Sequence, residues 1–293
     1  MQVKLTNICD IETDGTKEFI PSNGLSFLIN TEDKKILFDT GEKGSILLNN
    51  MRLLNIDPNS IDSLVLSHGH WDHTFGIEAL VTARTEKNEL IIIGHPHAFA
   101  KRRVAKLPFR VAALFKYKWY NFGFPNLPDD VKEKLSFQPI TEPYELTPIL
   151  KTIGEISEWK EKPSKIDKLS IKLGNKYVKD ELLDDLSLVL KTKKGIVVIC
   201  GCGHAGVLNI CARAKELYPD DEIKSIIGGT HLVALKTDEE LDYVANKLEK
   251  EYNKPSLYFS HCTGKRAIKY LTKRFGEEIV KSFRVGNELI FDC

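Results

Sequence analysis

The sequence predicts an α/β protein in which two β-sheets pack face to face with helices outside. Three observations point there. A chain of 293 residues suits one large domain, because at that length roughly 75% of the unfolded surface is buried without disulfide staples. Apolar residues at 42% and charged residues at 28% match a globular core rather than a fibre or a disordered chain. Each half of the chain also opens with paired apolar runs, read as strands, and goes on to helical patterns.

In the first half, residues 24–29 and 35–39 flank Thr31-Glu32-Asp33-Lys34 and read as a hairpin. A short helix ends at 51–54. A strand over 61–66 runs straight into Ser67-His68, and another over 90–93 ends at Gly94-His95. In the second half, 186–190 and 196–199 flank 192–195 as a second hairpin. Apolar residues at three- and four-residue steps predict helices over 206–217, 238–252 and 263–275. Strands at 225–227 and 257–259 lie between them, and the run 283–291, containing Gly286-Asn287, reads as a closing hairpin. Residues 98–128 stand apart, with seven basic residues, no acidic one and eight aromatics. They read as part of a helical, basic and aromatic insertion or cap at about 98–165 on a single domain spanning 1–293.

The 42 Lys and Arg residues against 41 Asp and Glu give a formal net charge of +1, which excludes a surface that binds polyanions as a whole. The expected partner is a small anionic molecule rather than a nucleic acid, with self-association left open. No apolar run approaches the ~18–20 residues of a membrane span. The opening MQVKLTNICDIETDG lacks a basic region followed by an apolar one, so a cytoplasmic protein is expected. The six cysteines, at 9, 200, 202, 211, 262 and 293, lack the spacing of a disulfide scaffold and read as reduced.

Ser67-His68-Gly69-His70-Trp71-Asp72-His73 carries the sharpest chemical signal. Three of the chain's eight histidines and a carboxylate fall within six residues, directly after an apolar strand. Neutral imidazole and carboxylate are donors that borderline divalent ions accept: zinc foremost, with manganese, iron or nickel also compatible. On an extended stretch His68 and His70 point to the same side, and a turn then brings Asp72 and His73 to an adjacent point. That makes half of a two-metal site.

These residues, as His68-Gly69-His70-Trp71-Asp72-His73, resemble the His-x-His-x-Asp-His signature of the metallo-β-lactamase superfamily. Phe38-Asp39-Thr40-Gly41 resembles that superfamily's early aspartate at a strand end. Further motifs are Gly24-Leu25-Ser26-Phe27-Leu28, Gly94-His95-Pro96, Gly201-Cys202-Gly203-His204-Ala205-Gly206, Gly228-Gly229-Thr230-His231-Leu232 and His261-Cys262-Thr263-Gly264. With them, the chain over 24–264 is similar to the superfamily's dihydropterin–ribofuranosylaminobenzene phosphate synthase subgroup. The resemblance implies a four-layer αββα sandwich with two divalent metals at one edge between the sheets. It implies that His68, His70 and His204 hold the first metal, and Asp72, His73 and His261 the second. Asp72 would also serve catalysis as a proton acceptor. Many members carry a Gly-Asp pair whose carboxylate bridges the ions; this chain offers Cys202 and His204 instead, with no acidic residue nearby in sequence.

Other residues admit more than one reading. Asp39 accepts a hydrogen bond from a ligand imidazole and orients it, or caps the turn before Gly41. His231 is a ligand, a substrate contact or a packed histidine at a helix end. His95 and His97 include a structural histidine, and Cys200, Cys202 and Cys262 are ligands or small core residues. The helix start at 263–266 offers backbone amides with Lys265 and Arg266 to an anion, or is an ordinary capped end with solvated charges. The 98–128 window folds over the metals, with Lys101, Arg102, Arg103 or Lys106 on a phosphate, or it packs its aromatics on the body of the protein.

The predicted function is that of a metal-dependent hydrolase or transferase with a dinuclear site, acting on a phosphorylated, pterin- or nucleotide-like small molecule. The alternative enzyme is the synthase of methanopterin-type cofactor biosynthesis, which displaces pyrophosphate from a pterin methylene carbon with an arylamine phosphate. A reading of another class is a non-catalytic, metal-containing anion-binding protein, supported by the departure at the bridging carboxylate.

Overall fold

Runs such as Gly195–Cys200 are buried along their whole length, which a strand reaches only when both faces of its sheet are covered. The computed structural model describes residues 1–85, 88–104, 120–164 and 169–293. In chain order its strands are β1 (Gln2–Cys9), β2 (Ser26–Asn30), β3 (Lys35–Phe38), β4 (Ser63–Val65), β5 (Leu90–Gly94), β6 (Arg102–Val104), β7 (Tyr120–Asn121), β8 (Leu135–Pro139) and β9 (Glu145–Thr147). They continue as β10 (Leu150–Thr152), β11 (Leu169–Leu173), β12 (Lys176–Lys179), β13 (Leu188–Thr192), β14 (Gly195–Cys200), β15 (Ile223–Gly228), β16 (Ser256–Phe259), β17 (Val280–Ser282) and β18 (Glu288–Asp292). The helices are α1 (Gly44–Leu53), α2 (Trp71–Thr74), α3 (Ile77–Ala83), α4 (Asp129–Lys132), α5 (Val207–Leu217), α6 (Asp238–Lys250) and α7 (Lys265–Phe275).

One seven-stranded sheet has the order β18-β1-β2-β3-β4-β5-β8, and a second has the order β17-β16-β15-β14-β13-β10-β9. Alternation along each strand divides the apolar side chains among three cores. Phe27, Ile29, Ile36 and Phe38 of the first sheet meet Leu188, Leu190, Val197 and Ile199 of the second in the central layer. Leu28, Leu37 and Leu64 face outward onto Leu47 and Met51 of α1 and Leu80 of α3. On the other side Ile196, Val198 and Ile226 face Ile210, Leu241 and Leu271 from α5, α6 and α7. Helices, sheet, sheet and helices are thus stacked as an αββα sandwich. No helix among the described residues is long and apolar enough to cross a membrane.

The two expected hairpins form as β2–β3 and β13–β14. The closing hairpin does not. β17 pairs with β16 in the second sheet, whereas β18 pairs antiparallel with β1 in the first. The turn at Gly286-Asn287 therefore passes the chain from one sheet to the other, because β1 offers β18 an open edge. The expected insertion at about 98–165 is also too wide. Within it, β8 completes the first sheet, and β9 and β10 complete the second. What stands outside the sandwich is a four-stranded sheet, β12-β11-β6-β7. Residues 105–119, with Lys106 and several of the aromatics, lie outside the described residues.

Candidate metal centre

β3, β4, β5 and β8 run parallel in one sheet, as do β14, β15, β16 and β17 in the other. In such sheets the loops at the carboxyl ends of the strands carry the ligand sites. Here Asp39 follows β3, the 67–73 loop follows β4, Cys202 and His204 follow β14, His231 follows β15, and His261 follows β16. These loops meet across the two sheets. Asp39, His231 and His261 hold left-handed backbone, at φ of 62°, 48° and 50°. Such conformations cost a non-glycine residue about 1–3 kcal/mol and persist where the surroundings enforce them.

The donor atoms of His68, His70 and His204 lie within 4.8 Å of one another, and so do those of Asp72, His73 and His261. His68 Nε2 and His70 Nδ1 are 2.8 Å apart, and His73 Nε2 and His261 Nε2 are 3.2 Å apart. The Asp72 carboxylate sits 3.8 Å from His73 Nε2 and 3.6 Å from His261 Nε2. Behind them the Asp39 carboxylate receives three hydrogen bonds: from Ser67 N at 2.8 Å, Ser67 Oγ at 2.6 Å and His73 Nδ1 at 2.6 Å. Because the Ser67 hydroxyl proton goes to Asp39, the 2.9 Å contact between Ser67 Oγ and His68 is donated by His68 Nδ1. Both imidazoles thereby turn Nε2 into the site.

Burial, reinforced by neighbouring imidazoles, pushes the pKa of His68 and His70 well below the ordinary histidine value. Burial and His231 do the same to His204, and burial lowers His261 as well. His73 is the opposite case. Burial alone would lower it, but the Asp39 and Asp72 carboxylates override that and raise it to about 9.

These residues fit a divalent ion. A ligand imidazole must be neutral, as the burial of His68, His70 and His204 makes them. His204 Nδ1 is 3.4 Å from the Ser164 carbonyl, and its Nε2 is buried with no protein partner. The close nitrogen pairs approach the ~3.3 Å edge of a tetrahedron of nitrogens at about 2.0–2.1 Å from zinc.

Several supporting groups carry no motif in the sequence. Asp10 Oδ1 accepts from His261 N at 2.7 Å, and burial, opposed by backbone donors, raises its pKa to about 7. Asp184 accepts from Gly69 N at 2.8 Å, and Asp185 from Ala205 N at 2.9 Å. The only local signal for this last pair is an acidic doublet just before an apolar strand.

A cleft of about 270 Å³ opens over the centre, lined by His70, Asp72, His204, His231 and His261 among others. Phe122, from the aromatic window, also lines it and packs edge-on against His70 at 5.3 Å. An adjoining pocket of about 250 Å³ runs from His261 past Lys265 to Arg284.

Arg102 is not the substrate cation that the sequence suggests. It is buried, with Nε donating to Asp180 at 2.5 Å, one guanidinium nitrogen 2.8 Å from Asp184 and another donating to His97 O. Arg103 stacks on Tyr177 of the outer sheet, Arg266 pairs with Asp238, and Lys101 is exposed. Among the aromatics, Phe99 and Phe124 pack with Phe137 on the body of the protein. His95 is structural, with Nε2 bonded to Glu155 at 2.9 Å, and Cys200 is a core residue under the helices.

The αββα sandwich is a metallo-β-lactamase fold, and residues 20–150 match the model of the metallo-beta-lactamase superfamily. The chain is 29% identical over 286 residues to the 7,8-dihydropterin-6-methyl-4-(beta-D-ribofuranosyl)-aminobenzene-5'-phosphate synthase of Methanocaldococcus jannaschii, covering 94% of this chain and 92% of that one. Tm1679, a metal-dependent hydrolase of the beta-lactamase superfamily, has a crystal structure similar over 98% of both chains, at TM-score 0.78 and 24% identity. YhfI, a metallo-beta-lactamase fold protein from Bacillus subtilis, matches over 99% of this chain and 100% of its own, at TM-score 0.55 and 14% identity.

Proposed function

We propose that this chain is a metal-dependent enzyme acting on a phosphorylated small molecule through two divalent ions, zinc foremost. His68, His70 and His204 would hold one ion, and Asp72, His73 and His261 the other. The observation that carries this reading is the convergence of two three-donor groups under one cleft. When bound, such ions polarise a phosphoryl oxygen and lower the pKa of water.

The chain's own residues do the rest. Asp39 fixes the rotation of His73, and Asp72 stands at the cleft as proton acceptor. Phe122 and His231 offer faces to a ring, and Lys265 offers a cation to the anionic end of the substrate in the adjoining pocket. Transfer rather than hydrolysis is the reading favoured by the likeness to the M. jannaschii synthase. A dihydropterin methylene carbon would then be attacked by an arylamine phosphate as pyrophosphate departs.

The test combines metal analysis with product analysis. About two equivalents of metal per chain are expected, together with a coupled product from a dihydropterin pyrophosphate and an aminobenzene ribotide. Release of free alcohol or phosphate without coupling would assign a hydrolase. His70→Ala should abolish turnover while circular dichroism stays unchanged; turnover in that variant would reject the metal-dependent reading.

A further inference from the structure

The two donor groups of the proposed centre are joined by one side chain that belongs to neither. Cys202 lies in the turn Cys200-Gly201-Cys202-Gly203-His204 after β14, and its sulfur is 3.3 Å from His73 Nε2. Its donor atom lies within 4.8 Å of those of both His68 and His73. His68 belongs to one group of three and His73 to the other, so the sulfur stands where a ligand shared by two cations stands. Asp72 is the one carboxylate in these groups among the described residues, and it sits with His73 and His261 rather than with His68.

The local backbone is shaped to bring the sulfur there. A Cβ on Gly201 would lie 2.1 Å from Ser67 Oγ, so glycine lets this turn rest against the 67–73 loop. The Cys202 side chain is buried, and Cys262 Sγ, whose sulfur lies within 4.8 Å of the Cys202 sulfur, donates to the Cys202 carbonyl at 3.2 Å. The unpartnered Nε2 of His204, in a residue 1% exposed, marks the same space as one that calls for a cation.

We propose that Cys202 is a thiolate ligand shared between the two metal positions. The inference rests on the dinuclear reading above. On loading, the S–H bond breaks, the proton leaves to solvent and the sulfur bonds to the ions. A thiolate in the set favours zinc, cobalt or ferrous ions over magnesium or manganese.

Cobalt(II) loaded into the full metal-free chain is the probe. The wild type should show visible ligand-field bands and a near-ultraviolet sulfur-to-cobalt charge-transfer band. Cys202→Ser should lose the charge-transfer band while retaining bound cobalt, whereas Cys262→Ser and Cys200→Ser should keep it. Zinc-loaded wild type, read by X-ray absorption, should show a sulfur shell at about 2.3 Å beside nitrogen and oxygen at about 2.0–2.1 Å. That measurement stands even if the serine variant fails to fold. Bound cobalt without the charge-transfer band, and a zinc spectrum without sulfur, would overturn the thiolate and leave the histidine centre standing. A band that survives in Cys202→Ser and vanishes in Cys262→Ser would overturn it in favour of the rim thiol. No metal bound to the wild type would overturn both the thiolate and the centre.

Discussion

Asp39 shows how far a single carboxylate sets the chemistry of this centre. It holds left-handed backbone, ties Ser67 and His73 together, and through Ser67 fixes the tautomer of His68. Asp39→Asn keeps the shape and removes the charge. Zinc affinity measured by calorimetric titration should fall about 10–100-fold, the usual effect of losing such an outer partner; an unchanged affinity would show that Asp39 only shapes the turn. The pH dependence has a definite sign. In metal-free protein the His73 pKa is raised to about 9, above the ~6.5 of an unfolded chain. The folded state therefore binds the extra proton, and this contribution to stability is complete below about pH 6.5 and lost as pH rises through about 9. Denaturant melts of the metal-free chain across that window should show the loss, and Asp39→Asn should flatten it.

At the scale of elements, the decisive link is between the small outer sheet and the 67–73 loop. Arg102 on β6 is buried between Asp180 and Asp184, and Asp184 in turn accepts from Gly69 N. The loop is pressed so closely here that a Cβ on Gly69 would lie 2.1 Å from the Ala98 carbonyl. Removing one partner of a buried pair leaves the others charged and unpaired, at a cost of about 3–5 kcal/mol. Arg102→Ala should lower unfolding stability by that order and weaken metal binding, because Gly69 lies between two of the proposed ligands. A loss below about 1 kcal/mol would place Arg102 among ordinary surface ion pairs. Nothing local marks this arginine. Lys101, Arg102 and Arg103 form one basic run, and only the pairing of β6 with β11 separates the buried member from its exposed neighbour at 101.

At the scale of the whole molecule, the centre joins two sheets whose central layer is apolar. His68, His70, Asp72 and His73 come from the first sheet, and His204 and His261 from the second. An ion held by both is a cross-brace, and a ligand that binds only the folded chain stabilises it by about 4 kcal/mol at a thousandfold excess over Kd. Chelation should therefore lower Tm, zinc should restore it, and the shift should vanish in a variant lacking both His204 and His261. An equal shift in that variant would mean that the metal acts elsewhere. Truncating the central layer is independent of metal: Ile199→Ala, at full burial, should cost about 2–5 kcal/mol with or without zinc.

The sequence by itself determined the elements and half of the centre. Alternating and helical apolar periods are local properties, so β2–β3, β13–β14 and the helices near 207–217, 238–250 and 265–275 could be read from spacing. The 67–73 motif was legible because its donors are neighbours along one loop. The resemblance to the superfamily named His204 and His261; only the tertiary structure brought the Cys202 sulfur between the two donor groups, and only it separated Arg102 from a substrate role. It also decided that the last strand leaves the second sheet for the first, and that Asp10, Asp184 and Asp185 support the site. These are contacts between residues far apart in the chain. They depend on which strand edges pair and which loops meet, and that is decided by packing two sheets on one core.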